Sequence, residues 1–367
     1  MAGRGGTARL LPCPYPLRTP QSPPMPHSIT IIGDGSMATV CALLLQGNGH
    51  TVTLWGPFAD HIDDLIQTRI NQRYLPGYPL PQAIRLTADA AVCFAGSQVI
   101  VSAIPTQFIR PVWQRLAVHL PPQVPIVSVA KGIETETLLR PTQVIADVLH
   151  VAGADNPDRP ARSLAALSGP SVADELARCL PATVCAASDD EAFARLLQDA
   201  FTTHWFRVYT NRDMLGVELA GATKNVIALA AGILDGLQAG NNAKSALLAR
   251  GLAEITRLGV AMGARQETFF GLTGVGDLAT TCFSPTGRNR TCGEMLGKGQ
   301  RLDQVLKAIP GVVEGVPTTK AVVRLAEKFR VEMPITQAVY QVLFEGLDPI
   351  EGISRLMSRQ PKPERVG

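Results

Sequence analysis

From Ser28 onward the chain alternates short apolar, β-rich runs with stretches of helical length. The runs at 29–32, 51–55, 99–102 and 125–129 predict strands of a parallel sheet covered by helices on both faces. Further strands are expected at 164–167, 182–186 and 205–209, extending the same sheet. After about residue 211 the strand signals stop. Helical patterns follow at 214–238, 244–262, 302–308, 318–329 and 336–343. Gly221, Ala222, Ala228, Ala230, Ala231 and Gly232 crowd the first of these, so neighbouring helices are expected to approach closely. The pattern divides the chain into an extension over 1–27, a sheet domain over 28–211, an all-helical domain over 212–359 and a frayed tail over 360–367.

Composition agrees with two packed domains. The chain has 367 residues, of which 46% are hydrophobic and 18% charged, ample for large cores. A formal net charge of +3, with no block of like charges, leaves no electrostatic footprint for nucleic acid or for an anionic membrane. The cysteines Cys13, Cys41, Cys93, Cys179, Cys185, Cys282 and Cys292 contain no CxxC pair. They read as reduced thiols of a cytoplasmic protein, with no metal site. The longest apolar runs, such as 227–233, fall short of the roughly 18 residues a membrane span needs, so no span is expected. Residues 1–27 hold seven prolines and no acid. They are expected to be disordered, as a solvated tail, an organellar transit peptide or a leader upstream of a start at Met25.

Gly33-Asp34-Gly35-Ser36-Met37-Ala38 directly follows the first strand and opens a helix, which gives GxGxxA the setting of a dinucleotide fingerprint. Gly33 permits the tight turn, Gly35 lets the backbone approach a pyrophosphate, and Ala38 allows close helix–sheet packing. The phosphates then sit on a helix N-terminus, where orphan N–H groups and the dipole favour an anion. The first domain is therefore read as a Rossmann-type doubly wound sheet, and the fold as α/β with a helical C-terminal domain. The second strand ends in Trp55-Gly56-Pro57, with neither an acid for a ribose 2′-hydroxyl nor an arginine for a 2′-phosphate. NAD and NADP both stay open. Pro105, after the strand at 99–102, either walls the nicotinamide pocket or simply ends a strand.

Three segments carry polar residues that a plain helix or strand would not need. Lys131 follows the strand at 125–129 and either projects from the cofactor edge of the sheet or is solvated. Lys224 lies in the small, apolar run around Gly221 and Ala228. If it is buried there, desolvation lowers its pKa toward the range useful for proton transfer, which makes it the acid/base candidate; the alternative is a lysine snorkelling on the outer face of the helix. The segment from Leu272 through Gly274, Gly276, Asp277 and Thr281 to Gly287-Arg288-Asn289-Arg290 reads as a loop that bends around a ligand. Arg288 offers a planar fork for phosphate and Asn289 adds donors. Such a segment is otherwise a surface turn.

With these motifs in order, the chain resembles the NAD(P)-dependent glycerol-3-phosphate dehydrogenases from about residue 28 to 356. The resemblance rests on Asn71-Gln72-Arg73-Tyr74-Leu75-Pro76-Gly77, Ala130-Lys131-Gly132, Leu167-Ser168-Gly169-Pro170-Ser171-Val172-Ala173, Thr223-Lys224-Asn225-Val226, Gly274-Val275-Gly276-Asp277-Leu278, Gly287-Arg288-Asn289-Arg290, Val313-Glu314-Gly315 and Met333-Pro334-Ile335. It implies an oxidoreductase that uses NAD or NADP to interconvert dihydroxyacetone phosphate and sn-glycerol 3-phosphate for glycerophospholipid synthesis. It further implies that Lys224 is the proton donor and acceptor, that Asp277 positions its amine, and that Lys131 touches both cofactor and substrate. Gly169, Ser171, Asn225 and Gly287 would line the substrate site, while Thr281, Arg288 and Asn289 hold its phosphate. Gly33, Gly35, Ser36, Met37, Pro105, Ala173, Arg288, Val313 and Glu314 would face the cofactor, and the enzyme would form a homodimer. The chain departs from the family pattern at Met37 and Ala38, where an aromatic residue and glycine are usual, and at Gly287, where serine is. The competing readings are a hydroxyacid or ketopantoate-type reductase of the same plan, and a non-catalytic NAD(P)-binding sensor.

Overall fold

The computed structural model describes residues 25–155, 161–361 and 363–364. Eight strands form one sheet: β1 (Ser28–Ile32), β2 (Thr51–Trp55), β3 (Arg85–Thr87), β4 (Val99–Ser102), β5 (Ile126–Ser128), β6 (Leu164–Ser168), β7 (Ala182–Ser188) and β8 (Phe206–Asn211). Six helices accompany them: α1 (Ser36–Gly47), α2 (Ala59–Thr68), α3 (Ile109–Leu116), α4 (Pro141–Val151), α5 (Ala173–Ala177) and α6 (Glu191–Phe201). The strand order is β3-β2-β1-β4-β5-β6-β7-β8, so the direction of winding reverses between β1 and β4. A crevice opens at such a reversal, on the carboxyl edge of the sheet. Ile29 and Ile31 pack on one face with Leu45 and Leu54, and Ile32 and Ile100 on the other with Trp55 and Trp113, all essentially inaccessible.

One pairing differs from the expected all-parallel sheet, since β7 runs antiparallel to β6. A parallel return needs a crossover that carries the chain back along the sheet. Here the only helix between the two strands is α5, five residues long and packed against α1, so the chain turns back from the edge where β6 ended. β3 was not anticipated either; with three residues and one buried side chain it carries too little hydrophobic pattern. The described chain also begins earlier than the expected disordered extension would allow. The His27 carbonyl accepts from Thr51 N at 3.0 Å, and the His27 ring stacks on His50. Residues 1–24, including Cys13 and the transit-peptide alternative, lie outside the described residues.

The remainder is helical: α7 (Met214–Gly236), α8 (Gly240–Ala261), α9 (Gln266–Phe269), α10 (Asp277–Phe283), α11 (Arg288–Gly297), α12 (Leu302–Ala308), α13 (Gly315–Phe329), α14 (Pro334–Tyr340) and α15 (Pro349–Met357). Asp213 caps α7, its carboxylate accepting from Gly216 N at 2.9 Å. The small residues of α7 act as expected. A Cβ on Gly232 would lie 1.9 Å from the Arg290 carbonyl oxygen and one on Gly293 2.0 Å from that of Leu229, so α7 and α11 touch backbone to backbone. α7 is long and apolar enough to cross a membrane, unlike the shorter runs considered in the sequence, but 94% of its most apolar window is buried inside the protein. Among the described residues it is a core helix, wrapped by α8, α10, α11 and α13. Each fully buried Leu or Ile in such a core contributes about 1.5–3 kcal/mol.

Candidate active site

The fingerprint sits where the sheet reverses. Gly33 has φ +123°, and a Cβ there would lie 2.5 Å from the Ala103 carbonyl oxygen, so only glycine lets the chain leave β1 against the end of β4. Gly35 is the N-cap of α1 and makes no side-chain cap; a Cβ built on it meets nothing within 4 Å. Open space in front of an uncapped helix N-terminus fits a pyrophosphate. Ser36 and Met37 begin α1, and Met37 shares a small cavity with Val129 and Ser171, which links the fingerprint to the next site. Asn71 is fully buried behind the loop, and its Nδ2 donates to the Asp34 carbonyl and to Thr39 Oγ1, both at 2.8 Å. The sequence marked Asn71 only as part of a motif, because nothing local shows that this amide folds back to brace the fingerprint.

The two candidate lysines meet on one carboxylate. Lys131, beyond the end of β5, donates from Nζ to Asp277 Oδ2 at 2.7 Å, to the Gly169 carbonyl at 2.8 Å and to Ser171 Oγ at 3.0 Å. Lys224, midway along α7, donates to Asp277 Oδ1 and to Thr281 Oγ1, each at 2.5 Å. An ammonium has three donors. Those of Lys131 are all engaged, whereas Lys224 retains one. Lys224 is 5% exposed and Asp277 1%, which removes the snorkelling alternative for the first and the loop expected for the second. Asp277 instead opens α10, directly after a π-type turn at Leu272–Gly276. Two cations on one anion leave a net positive charge in a dry site. Burial is the main reason that the Lys224 ammonium is pulled down to about 8; Asp277 opposes the shift and Lys131 adds to it.

Around this centre the asparagines form a relay. Asn225 Nδ2 donates to the Lys131 carbonyl at 2.8 Å, Asn289 Nδ2 donates to Asn225 Oδ1 at 2.9 Å, and Gly315 N donates to Asn289 Oδ1 at 2.9 Å. The sheet edge, α7, α11 and the start of α13 are thus tied in sequence. Thr281 is engaged as well, donating to the Asp277 carbonyl at 2.7 Å while accepting from Lys224. Arg288 is different. It is exposed, lies against Gly311, and makes no hydrogen bond or ion pair among the described residues. Gly287 caps α11 without a side-chain hydrogen bond, so Arg288 stands on a helix N-terminus rather than in the surface turn considered above.

Glu314 Oε1 accepts from Thr106 N at 3.1 Å, which brings the residue after Pro105 against the start of α13. Burial raises the Glu314 carboxyl above the usual range, opposed by Arg288, Lys131 and Lys224. Two residues stand apart from this cluster. The Val313 side chain is buried in the helical core, leaving only its backbone to face a ligand, and Ala173 starts α5 and packs on the sheet core. No group of three or more potential metal ligands occurs among the described residues.

Comparison with known proteins follows the same division of the chain. The family models described as NAD-dependent glycerol-3-phosphate dehydrogenase N-terminus and C-terminus match residues 28–194 and 213–354. The glycerol-3-phosphate dehydrogenase (NAD(P)+) of Geobacillus kaustophilus is 48% identical over 339 residues, covering 92% of this chain and 96% of that one. The protein of the same name from Bacillus pumilus is 46% identical over 331 residues, covering 90% and 94%. Among solved structures, glycerol-3-phosphate dehydrogenase from Coxiella burnetii matches with a TM-score of 0.86 at 38% identity, over 92% of this chain and 100% of that one.

Proposed function

The chain belongs to the NAD-dependent glycerol-3-phosphate dehydrogenase family, and from that premise we propose how its own residues carry the NAD(P)H-dependent interconversion of dihydroxyacetone phosphate and sn-glycerol 3-phosphate. When bound, the reduced nicotinamide supplies the hydride that reduces the C2 carbonyl. Everything else falls to side chains already in place.

Lys224 is the proton donor in reduction and the acceptor in the reverse direction. The observation that carries this role is its single uncommitted N–H, beside a Lys131 whose three donors are all engaged. A pKa of about 8 keeps it an ammonium near neutral pH yet allows it to release the proton. As the carbonyl oxygen gains negative charge, the net positive Lys131–Asp277–Lys224 group stabilises it in a site with little water. Asp277 positions both amines, and Gly169 and Ser171 hold Lys131. Arg288, with the N-terminus of α11, takes the substrate phosphate; binding energy at that remote group fixes the orientation of the reacting carbon. Asn225, Asn289 and Thr281 set the positions of these groups.

Gly33, Gly35, Ser36 and Met37 would hold the cofactor, and Pro105 and Glu314 would serve its nicotinamide. The division between cofactor-binding and helical domains falls near residue 211, between β8 and α7. None of the six cysteines among the described residues forms a disulfide, which supports a cytoplasmic location. Homodimer formation finds support in the exposed Ile350 and Met357 rather than in α7, whose small residues are used up within the chain; light scattering checks it. The enzymatic test follows NADH absorbance on addition of dihydroxyacetone phosphate, for wild type and Lys224→Ala. Wild-type oxidation that falls about 10²–10⁴-fold in the variant is the expected result. An undiminished variant sinks the role of Lys224, and no oxidation by wild type sinks the reaction.

A further inference from the structure

The end of β2, where this architecture usually presents the residue that reads the adenosine ribose, carries Gly56-Pro57. A carboxylate there accepts from the ribose 2′-hydroxyl and repels a 2′-phosphate. The structure places a carboxylate at this point from another direction. Asp34, between the two fingerprint glycines, lays its side chain over Gly56: a Cβ on Gly56 would lie 2.9 Å from both Asp34 Cβ and Asp34 Oδ2. Gly56 therefore leaves a gap that Asp34 and Ile62 fill together, and a side chain at the end of β2 would have to displace one or both of them.

Three observations give the arrangement the character of a site. Asp34 is 8% exposed, and its Oδ2 is buried with no hydrogen-bond partner. An unpaired carboxylate oxygen out of water is costly, and a hydroxyl donor entering between α1 and the end of β2 would relieve that cost. The Asp34 main-chain carbonyl is held by the Asn71 amide, which fixes the backbone from which the carboxylate projects. Burial raises the Asp34 carboxyl above the usual range, and His61 and Arg73 oppose that shift; the His61 ring meets Tyr74 edge-on and Arg73 lies over the Tyr74 ring. The Arg73 guanidinium is what a 2′-phosphate would seek, so the position holds opposed signals, with the acid in the inner place.

We propose that Asp34 reads the 2′ position of the adenosine ribose and makes this chain prefer NADH to NADPH. The proposal rests on the dinucleotide reading of the fingerprint and names the specificity residue that the end of β2 lacks. The test is direct binding without substrate: fluorescence titration of wild type, Asp34→Asn and Asp34→Ala with NADH and NADPH, and competition by 5′-AMP and 2′,5′-ADP. Wild type is expected to bind NADH and 5′-AMP at least about tenfold tighter than their 2′-phosphorylated counterparts. Asp34→Asn, which keeps the shape and removes the charge, should bring the ratio to within about threefold, and Asp34→Ala should do the same or reverse it. A wild type that binds NADPH as tightly or tighter overturns the proposal and gives the position to Arg73. Variants that keep the wild-type ratio overturn it as well. If Asp34→Ala does not fold, the wild-type and asparagine ratios still decide. Loss of discrimination with intact turnover of dihydroxyacetone phosphate leaves the enzymatic reading standing, whereas failure to bind any dinucleotide removes both.

Discussion

Replacing Asp277 by asparagine isolates the charge that two lysines share. In the wild type, burial lowers the Lys224 pKa from 10.5 to about 8, with Asp277 holding it up and Lys131 pressing it down. The amide leaves the downward influences and removes the upward one, so the pKa must fall further. Two unit charges about 4 Å apart at an effective dielectric of about 20 interact by about 4 kcal/mol, nearly three pH units. Asparagine keeps a hydrogen-bond acceptor, and Lys131 can relax away once its partner is neutral, so roughly a third of that is the expected net shift, about one unit. With Lys224 in its proposed role, reduction needs the ammonium, so its rate should fall as pH rises through the Lys224 pKa; oxidation of glycerol 3-phosphate needs the free amine and should rise through the same value. The variant's limbs should both move about one unit toward acid, costing reduction about fivefold at a pH near the wild-type pKa and little well below it. The assay is kcat for both directions across the pH range, with NADH binding as a folding control, because breaking a buried pair costs about 3–5 kcal/mol of stability. Limbs that stay at about 8 or move toward alkali would refute the shared-carboxylate account.

Two glycine substitutions should separate fold from binding. Gly33→Ala drives a Cβ into the Ala103 carbonyl at positive φ, so calorimetry should show a loss of order 2–4 kcal/mol. Gly35→Ala adds a methyl to open space, so the melting temperature should hold while the dissociation constant for NADH rises about 10-fold or more, as measured by titration. Arg288→Ala removes the guanidinium proposed to take the substrate phosphate; KM for dihydroxyacetone phosphate should rise about 10- to 100-fold in steady-state kinetics, with a smaller change in kcat. Glu254 accepts from Ile335 N and Thr336 N, and burial pushes its carboxyl up from 4.5 to about 7. The folded state then binds the proton that the unfolded state releases, so stability falls as pH rises from about 4.5 to 7. Denaturation of Glu254→Gln should lack that fall, worth up to about 3 kcal/mol in the wild type.

The order of elements was legible because burial leaves a periodic trace. β1, β2 and β4 are short, almost wholly buried runs rich in β-branched residues, and the long helices α7, α8 and α13 repeat apolar positions over several turns. The trace fails where an element is short or polar. β3 has one buried residue, and α11 carries three arginine or asparagine residues in its first turn, so helix and surface turn look alike. The antiparallel β6–β7 pair was hidden for another reason, since direction depends on how α5 packs and not on the strands themselves. Among site residues, Lys224 announced itself as a charge in an apolar helix. Asn71 and Asp34 did not, because each acts through a contact that no local pattern encodes, from Asn71 to the fingerprint backbone and from Asp34 to Gly56.

What the structure adds to the two lysines is a difference between them. Sequence favours Lys224 as a charge in an apolar helix, but offers no geometric ground for the choice, since either lysine could meet Asp277. The ranking comes from counting donors. Lys131 is held by a carbonyl, a hydroxyl and a carboxylate supplied from the sheet side and from α10, so moving its proton would break a completed set. Lys224 is held by two groups of α10, one turn apart, and has a donor left over. The same helix that fixes its position therefore leaves it unsatisfied, and under the proposed role a substrate oxygen would complete its shell. If the roles were exchanged, Lys131→Ala would abolish proton transfer, while Lys224→Ala would chiefly weaken binding. The opposite pattern is expected: solvent-isotope sensitivity and the pH limb near 8 should vanish with Lys224→Ala, and persist at reduced affinity with Lys131→Ala.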